Sequence, residues 1–230
     1  MDQTVSLSYI LTEWGTDVWL PALITAVVAY FCGCFNGAVI VSKYILRDDV
    51  RNHGSGNAGL TNFYRTFGGM LTFVVILCDV LKAVVAVGAG IIIAEGYSAS
   101  VLLGCDPVVY GKYWAGMFCL VGHMFPWMFG FRGGKGVLSG GTIAIMIDWR
   151  IALIVWGGFL ILVALTRYVS LGSCYAGASF PFATWFVFQN VGLTILGILM
   201  GGSLVYMHRA NIKRLLTGTE SKFSFRKKKS

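Results

Sequence analysis

A glycine-rich stretch with two cations, GFRGGKGV at residues 130 to 137, interrupts an otherwise strongly apolar chain. Backbone N–H groups of Gly133, Gly134 and Gly136 could cradle a phosphate group. Lys135 would add a point charge, and a helix that follows would direct the positive end of its dipole at the same anion. A P-loop is excluded, because Gly136 stands where that motif has its Ser or Thr and the motif's first glycine is missing. The stretch predicts phosphate binding, with a re-entrant glycine turn as the structural alternative.

A second polar segment, GSGNAGLTN followed by Arg65, lies between the first two long apolar runs. Small residues let backbone amides approach a ligand closely, and successive free N–H groups form an anion-binding nest. Hydroxyl and amide side chains add donors, and Arg65 adds a fixed cation. Taken alone, such a loop is most often only a turn. Its candidate ligand-binding residues are Gly54, Ser55, Gly56, Asn57, Thr61, Asn62 and Arg65.

Two more polar segments, TRYVSLGS and HRANIKRLLTGTE, follow later apolar runs. The first offers Arg167 and Ser170 to an anion. In the second, His208, Asn211 and Arg214 follow one another at intervals of three, so they could share one face of a helix. The structural alternative is a helix end whose basic side chains snorkel to the membrane interface. Four segments with anion-suited groups favour a cationic site for a phosphorylated ligand.

The elements that must position these residues are membrane helices. Hydrophobic residues form 57% of the chain and charged residues only 12%, and the mean hydropathy is +0.74. Apolar runs of about 18 residues or more recur, which is typical of transmembrane helices and not of soluble domains or β-barrels. The six cysteines form no C-x-x-C pair and no zinc-ligand spacing with His. The sequence therefore predicts an all-α integral membrane protein without a disulfide framework, a metal site or a nucleic-acid partner.

The hydrophobic runs predict a bundle of seven transmembrane helices in a single membrane domain that covers the whole chain. An alternative joins residues 137–165 into one long span. That span would bury Asp148 and Arg150 in hydrocarbon, at a cost of several kcal/mol. The predicted spans cover residues 18–42, 70–94, 113–130, 136–147, 151–166, 171–188 and 191–207.

The distribution of basic residues predicts the orientation of the bundle. With seven spans, fifteen of the eighteen Lys and Arg residues fall on one side, two fall on the other, and Lys82 lies within a span. By the positive-inside rule the basic side is cytoplasmic. The N-terminal segment 1–17 is then outside, residues 18–208 form the spans, and the basic tail 209–230 is cytoplasmic, resting against anionic headgroups. A six-span arrangement would lose this asymmetry.

With these residues identified, the chain resembles the bacterial PlsY family, the acyl-phosphate:glycerol-3-phosphate acyltransferases. The resemblance lies in GSGNAGLTN with Arg65, in GHMFPWMFGFRGGKGV, in TRYVSLGS and in HRANIKRLLTGTE, and DVLK is also similar to a family feature. The chain departs from the usual family residues at Ala58, Leu60, Leu138 and Ser139. None of these is a proposed polar ligand contact, so the departures bear on substrate preference and not on activity.

The resemblance implies a seven-helix enzyme of the bacterial inner (cytoplasmic) membrane, with its active site on the cytoplasmic face. It would transfer a fatty acyl group from acyl phosphate to glycerol 3-phosphate, giving 1-acylglycerol 3-phosphate (lysophosphatidate) and phosphate. No metal, nucleotide or other cofactor would be required. The family also implies a soluble partner, an acyl-carrier-protein phosphate acyltransferase. A monomer is expected, because no GxxxG face marks a dimer seam.

Roles for the candidate residues follow as hypotheses from the resemblance. The glycine loop with Lys135 would bind the acyl phosphate and stabilise the phosphate as a leaving group. His208 and Asn211 would orient glycerol 3-phosphate, and Glu220 would hold the C-terminal segment over the site. The remaining contributors are Ser55, Thr61, Asn62 and Ser170 in the pocket wall, and Arg65, Arg167 or Arg214 as neutralising cations.

Two acceptors for the hydroxyl proton stay open. His208 is a candidate base, since the unperturbed pKa of histidine lies near neutrality, and the phosphate of the donor is the alternative. A covalent acyl-Ser55 route is disfavoured, because no Ser–His–acid arrangement is visible. His123 is expected to cap or pack near a helix end. Asp79 and Lys82, three residues apart within a span, are expected to pair with each other as a structural feature.

Two other classes of function compete with an enzyme. A transporter of a phosphorylated solute would also need cations in a bundle, but it predicts charged residues on the outer side and usually an internal repeat. Neither feature is evident in the sequence. A membrane scaffold without activity would leave the four polar segments unexplained.

Overall fold

The computed structural model describes residues 19–95 and 106–223, and this part of the chain folds into helices joined by short loops. The expected outer segment 1–17, residues 96–105 and the end of the basic tail, 224–230, lie outside the described residues. The α-helices of the described part are α1 (Leu20–Cys34), α2 (Gly37–Ile40, continued by a π-helical turn over Val41–Ile45), α3 (Leu60–Thr66), α4 (Leu71–Glu95), α5 (Pro107–Met124), α6 (Val137–Ile147), α7 (Trp149–Thr166), α8 (Val169–Phe188), α9 (Val191–Met207) and α10 (Arg209–Leu216).

The start of α5 differs from the predicted third span. Pro107 occupies the first turn, and the side chain of Asp106 accepts a hydrogen bond from the amide of Val108 at 2.9 Å. An Asp cap followed by Pro is a strong helix-start signal, and it precedes the most apolar part of the run. The predicted span 113–130 therefore began too late, and it also ran past the end of the helix at Met124.

The break between α6 and α7 confirms that this apolar region forms two helices and not one long span. Asp148 is extended, with φ −161° and ψ 136°, and its side chain accepts the amide hydrogen of Arg150 at 2.8 Å. The same carboxylate pairs with the Arg150 guanidinium at 2.9 Å. The short helix α6 has 11 residues. Its length of about 16 Å is roughly half the hydrocarbon thickness of a bilayer.

The helices pack through small residues. The most extensive contacts join α1 to α5, α8 to both α7 and α9, and α4 to α5, while α6 contacts α4, α5 and α7. In lipid, helix association depends on van der Waals packing, so glycine at a crossing allows the close approach that stabilises it. Glycines whose added Cβ would strike the backbone of the facing helix are Gly33 and Gly122 between α1 and α5, Gly90 and Gly111 between α4 and α5, and Gly177 and Gly201 between α8 and α9.

Three helical stretches of the described residues are long and apolar enough to cross a membrane: Leu20–Ile45, Leu71–Glu95 and Trp149–Thr166. The bent pair of α9 and α10, which meet at 57°, would make a fourth if counted as one span. Large apolar side chains are exposed along these helices, among them Leu23, Phe73 and Leu165. Such surfaces are stable only against lipid. The chain is therefore an integral membrane protein whose described part is all-helical, with a helix at the place of each predicted span.

Candidate active site

The four polar segments meet around a cavity of about 630 Å³. The loop before α3, the loop before α6, the start of α8 and the α9–α10 junction with the chain beyond it all contribute to its wall. The predicted site residues that line it are Gly54, Ser55, Asn57, Thr61, Asn62, Arg65, Lys135, Gly136, Ser170, His208, Asn211, Arg214 and Glu220. Four other predicted residues, Gly56, Gly133, Gly134 and Arg167, do not line it.

The loop before α3 is organised by the buried side chain of Asn62. Its Nδ2 lies 3.0 Å from three carbonyl oxygens, those of Val50, His53 and Asn57. Its Oδ1 accepts the amide hydrogen of Ser55 at 3.0 Å. Because the amide group is used within the loop, Asn62 positions Ser55, which differs from the direct ligand contact predicted for it.

The expected phosphate cradle is only partly formed. The amide of Gly133 donates to the carbonyl of Met124, and the amide of Gly134 donates to that of His123, each at 3.1 Å. The prediction that these two amides face an anion is wrong, because they bind the end of α5. Gly136 does line the cavity, with φ 80° at the start of α6. The positive end of the α6 dipole therefore faces the cavity, as predicted.

Lys135 begins a chain of hydrogen bonds along the cavity wall. Its Nζ donates to Oδ1 of Asn211, and Nδ2 of Asn211 donates to Oε1 of Glu220 at 2.7 Å. Nε of Arg214 donates to Oε2 of Glu220 at 2.6 Å. Burial, helped by the nearby Arg214, lowers the pKa of Lys135 to about 8. Burial raises the pKa of Glu220, but the hydrogen bonds from Asn211 and Arg214 outweigh it, and the pKa is lowered.

His208 lies at the junction of α9 and α10 and is buried against the cavity. Its Nδ1 is 2.8 Å from the carbonyl oxygen of Leu204. A carbonyl only accepts, so Nδ1 carries the proton and Nε2 has a free lone pair. Burial lowers the pKa of His208 to about 4. The ring is therefore neutral near pH 7, and Nε2 can accept a hydrogen bond or a proton.

The segment after α10 crosses the cavity. The guanidinium of Arg65 donates to the carbonyl of Ser221 at 3.3 Å, and the amide of Phe223 donates to the carbonyl of Arg167 at 2.7 Å. The rings of Tyr64 and Phe223 pack with their centroids 6.0 Å apart. Arg167, predicted as a neutralising cation, thus contributes its main chain as an anchor for this segment, while its exposed side chain lies away from the cavity.

Comparison with known proteins shows which family this chain belongs to. The profile of the family described as glycerol-3-phosphate acyltransferase matches residues 23–218. The chain belongs to this acyltransferase family. A glycerol-3-phosphate acyltransferase of Clostridioides difficile is 42% identical over 208 residues, which cover 89% of this chain and 97% of the relative. One from Thermoanaerobacter pseudethanolicus is 36% identical over 201 residues, covering 87% of this chain and 95% of the relative.

Two solved structures have the same fold. Both are crystal structures of PlsY, described as an integral membrane glycerol 3-phosphate acyltransferase. The glycerol 3-phosphate form superposes with a TM-score of 0.73 at 33% identity, covering 88% of this chain and 96% of that one. The lysophosphatidic acid form gives a TM-score of 0.69 at 32% identity, covering 88% and 95%.

In this member of the glycerol-3-phosphate acyltransferase family, the cavity wall includes residues that sequence reasoning left outside the site. Asp79 of α4, His123 of α5, and Trp156 and Phe159 of α7 all line it. Asp79 carried a usable signal, because an ionisable residue within a span marks a functional site by default. The two aromatic residues carried none, since they look like any other apolar residue of a span. Among the described residues, no three His, Cys, Asp or Glu side chains gather as a metal site requires.

An apolar cleft adjoins the polar cavity. It lies among α5, α6, α7, α8 and α9, and Val137, Trp156 and Phe159 line both spaces. Gly140 and Gly177 are part of its wall, and a Cβ on Gly140 would meet no atom nearer than 3.6 Å. A polar, cationic cavity therefore lies beside a narrow apolar cleft of about 20 Å³ within one bundle of helices.

Proposed function

We propose that this acyltransferase takes its acyl group from acyl phosphate and transfers it to glycerol 3-phosphate, forming 1-acylglycerol 3-phosphate and inorganic phosphate. The glycerol hydroxyl oxygen attacks the acyl carbon, and the bond from that carbon to the phosphate oxygen breaks. Phosphate leaves with the electron pair of this bond. Both substrates carry phosphate, so the site must neutralise two anions at short distance from each other.

The charge balance of the cavity is the observation that carries the proposal. Asp79 is paired with a lysine one turn along α4 at 2.8 Å, and Glu220 is paired with Arg214 at 2.6 Å. Arg65 and Lys135 also line the cavity, and neither has an ion-pair partner among the described residues. Two cations without carboxylate partners suit two phosphate groups, and a metal ion is not needed to balance the charge.

The leaving phosphate is best placed beside Lys135 and the start of α6. Lys135 is mostly protonated near pH 7, because its pKa of about 8 lies above that pH. The helix dipole and the ammonium group would both stabilise the negative charge that develops on the phosphate as the acyl bond breaks. Ser55 and Thr61 line the same cavity and could donate hydroxyl hydrogen bonds.

The attacking hydroxyl is best placed beside His208. The free lone pair on Nε2 can accept the hydroxyl proton, and a folded-state pKa of about 4 keeps the ring neutral beforehand. A base this weak shares the task with the leaving phosphate, which is the alternative proton acceptor. Turnover of His208→Ala distinguishes the two, since a variant that keeps most of its rate would assign the proton to the phosphate.

The fatty acyl chain would enter the bundle at the apolar cleft. The cleft holds only about 20 Å³ in this structure, so its helices would have to separate to admit the chain. Val137, Trp156 and Phe159 line both the cleft and the polar cavity, so an acyl phosphate that entered there would have its phosphate in the cavity. Burial of the chain against apolar residues contributes about 25 cal/mol per Å² of surface when the chain comes from water, and little when it comes from lipid.

The proposed setting is the bacterial cytoplasmic membrane. We infer seven crossings with the N-terminus outside and the C-terminus inside, from the helices at all seven predicted spans and from the basic residues on one side. The short α6 would cross only together with the chain on either side of it. The cavity then opens to the cytoplasm, where glycerol 3-phosphate is available. The enzyme would act as a monomer without a cofactor, and a soluble acyl-carrier-protein phosphate acyltransferase would supply its donor.

A donor comparison tests the proposed function. Purified enzyme in nanodiscs is incubated with labelled glycerol 3-phosphate and palmitoyl phosphate, palmitoyl-CoA or palmitoyl-acyl carrier protein in separate reactions. The expected result is lysophosphatidate and an equal amount of phosphate from palmitoyl phosphate alone. Product from either thioester at a comparable rate would contradict the donor assignment. No product from any donor, together with flux of glycerol 3-phosphate into proteoliposomes, would indicate a transporter.

A further inference from the structure

Three ionisable side chains meet inside the helix bundle at the edge of the cavity. Nζ of Lys82 is 2.8 Å from Oδ1 of Asp79, and each of these two side chains is only 3% exposed. The same Nζ is 2.5 Å from Nδ1 of His123, which is also buried. Ionisable groups at this depth are costly, and an apolar bundle does not need them for packing. Their presence indicates a function beyond filling space.

The cluster joins four separate elements of the bundle. Besides its two partners on α4 and α5, Lys82 donates to the carbonyl of Phe35, where α1 ends, at 3.0 Å. The hydroxyl of Ser139 in α6 donates to the main-chain carbonyl of Asp79 at 3.1 Å. Two ammonium hydrogens of Lys82 thus have acceptors, on α5 and at the break after α1, and its charge pairs with the Asp79 carboxylate on α4.

The contact with Lys82 determines which ring nitrogen of His123 carries the proton. An ammonium group only donates, so Nδ1 of His123 is the acceptor and Nε2 carries the ring proton. The ring is therefore neutral, and its orientation is set by the lysine, which is itself held by Asp79 and Phe35. His123 cannot turn without leaving a buried ammonium hydrogen unpaired.

The other side of His123 holds the glycine loop. Its carbonyl accepts the amide of Gly134 at 3.1 Å, and its ring packs so closely against Gly134 that an added Cβ would collide with it. The same added Cβ would lie 2.6 Å from the carbonyl oxygen of Ala58, in the loop before α3. Asn36 donates to that carbonyl at 3.0 Å. His123 therefore fixes the loop that carries Lys135.

We propose that Asp79, Lys82 and His123 form a positioning triad that sets the place of the glycine loop, and through it the place of Lys135 and the start of α6 in the cavity. This inference rests on the proposed function only for its effect on turnover. Lys82 fixes the orientation of the His123 ring, His123 fixes the position of Gly134, and Gly134 directly precedes Lys135. A charged anchor holds one geometry, whereas apolar contacts alone would let the loop slide.

A paired substitution separates positioning from simple charge compensation. Asp79→Asn with Lys82→Met removes both charges together, so no lone buried charge remains to prevent folding. We expect this variant to keep its elution profile and thermal unfolding temperature in detergent, while kcat/KM falls at least tenfold. Tyr113→Phe is the matched control, because it removes another buried hydrogen bond, to Thr184 at 2.8 Å, away from the cavity. The control should keep its kcat/KM.

A second measurement does not depend on turnover. The rate at which an amine-reactive reagent labels Lys135, followed by mass spectrometry against pH, reports how buried its ammonium group is. The groups facing Lys135 are Arg65 on α3, Cys174 on α8, Asn211 and Arg214 on α10, His208 at the α9–α10 junction, and Glu220 after α10. Wild type should titrate near 8, and the triad variants should move toward the ordinary lysine value of 10.5.

His123→Asn provides the second variant if the pair substitution does not fold. Asparagine retains an acceptor near the position of Nδ1 for Lys82 but lacks the ring that packs on Gly134. Reduced kcat/KM with a raised labelling midpoint for Lys135 would support the triad. Wild-type turnover and labelling in a folded triad variant would overturn it. An inactive wild type would reject the proposed function alone, since the labelling measurement would still test the triad.

Discussion

The GSGNAG loop before α3 and the GFRGGKG loop before α6 look alike in sequence, but the structure uses their glycines differently. In the first loop, Gly54 and Gly56 adopt positive φ angles of 57° and 69° that let the chain turn around Asn62. In the second, Gly133 and Gly134 dock their amides on the end of α5. Gly130 and Gly136 of the second loop also have positive φ, so glycine serves turning in both loops and close packing at Gly133 and Gly134 as well. Side chains and a helix start supply the groups that can hold an anion.

The largest expected effect is a difference in kcat between alanine variants of the two cations in the second loop. Lys135 is half-buried in the cavity wall, whereas Arg132 is exposed and lies outside it. We expect Lys135→Ala to lower kcat about 10²- to 10³-fold, the range for removing one charge-stabilising donor. Arg132→Ala, in the same loop, should remain within about twofold of wild type, as expected of an exposed residue that has no carboxylate partner within residues 19–95 and 106–223. Near-native turnover of Lys135→Ala with palmitoyl phosphate would contradict the proposal that Lys135 binds the leaving phosphate.

The next effect compares one glycine from each loop. Gly134→Ala would place its Cβ 2.6 Å from the carbonyl of Ala58 and against the His123 ring. We expect kcat/KM to fall more than tenfold. Gly56→Ala meets no atom nearer than 3.5 Å, so it should cost only about 1 to 2 kcal/mol of backbone strain at positive φ. Thermal unfolding and initial rates of both variants check the contrast, and equal loss of activity in the two would argue that both loops bind substrate through their glycines.

The smallest expected effect is a pH dependence that belongs to the second loop alone. The pKa of Lys135 is lowered to about 8, so the ammonium form predominates below pH 8 and is lost as the pH rises through it. We expect kcat/KM to fall about tenfold between pH 8 and pH 9.2, since each unit above a pKa reduces the protonated form roughly tenfold. His208, with a pKa of about 4, stays neutral throughout this range. Lys135→Arg should keep its kcat/KM constant between pH 8 and pH 9.2, because a guanidinium stays charged. If kcat/KM of this variant still falls, the pH dependence belongs to a group other than Lys135.

Most of the helical scaffold could be predicted from local sequence. Apolar runs indicated a helix at each predicted span, and Asp148 indicated the break between α6 and α7. The third span was misplaced because hydropathy outweighed the capping signal of Asp106 and Pro107. Hydropathy reports which residues tolerate lipid, and it does not report where hydrogen bonding begins a helix.

The candidate site was predictable in its residue types and less so in its contacts. Thirteen predicted residues line the cavity because each polar segment stood out against an apolar chain. The roles of Asn62, Gly134 and Arg167 did not emerge, since their partners lie on other segments of the chain or are main-chain atoms that no residue pattern marks. The triad was seen only as the pair of Asp79 and Lys82, because nothing in the sequence places His123 beside them.

A structure of the enzyme with glycerol 3-phosphate bound tests the central claim most directly. We expect the phosphate group of glycerol 3-phosphate within hydrogen-bond distance of Arg65, in the cavity that His208 lines, and the glycerol hydroxyl toward Nε2 of His208. Glycerol 3-phosphate bound outside this cavity, or with its phosphate on Lys135 and away from Arg65, would contradict the proposed assignment of the two cations.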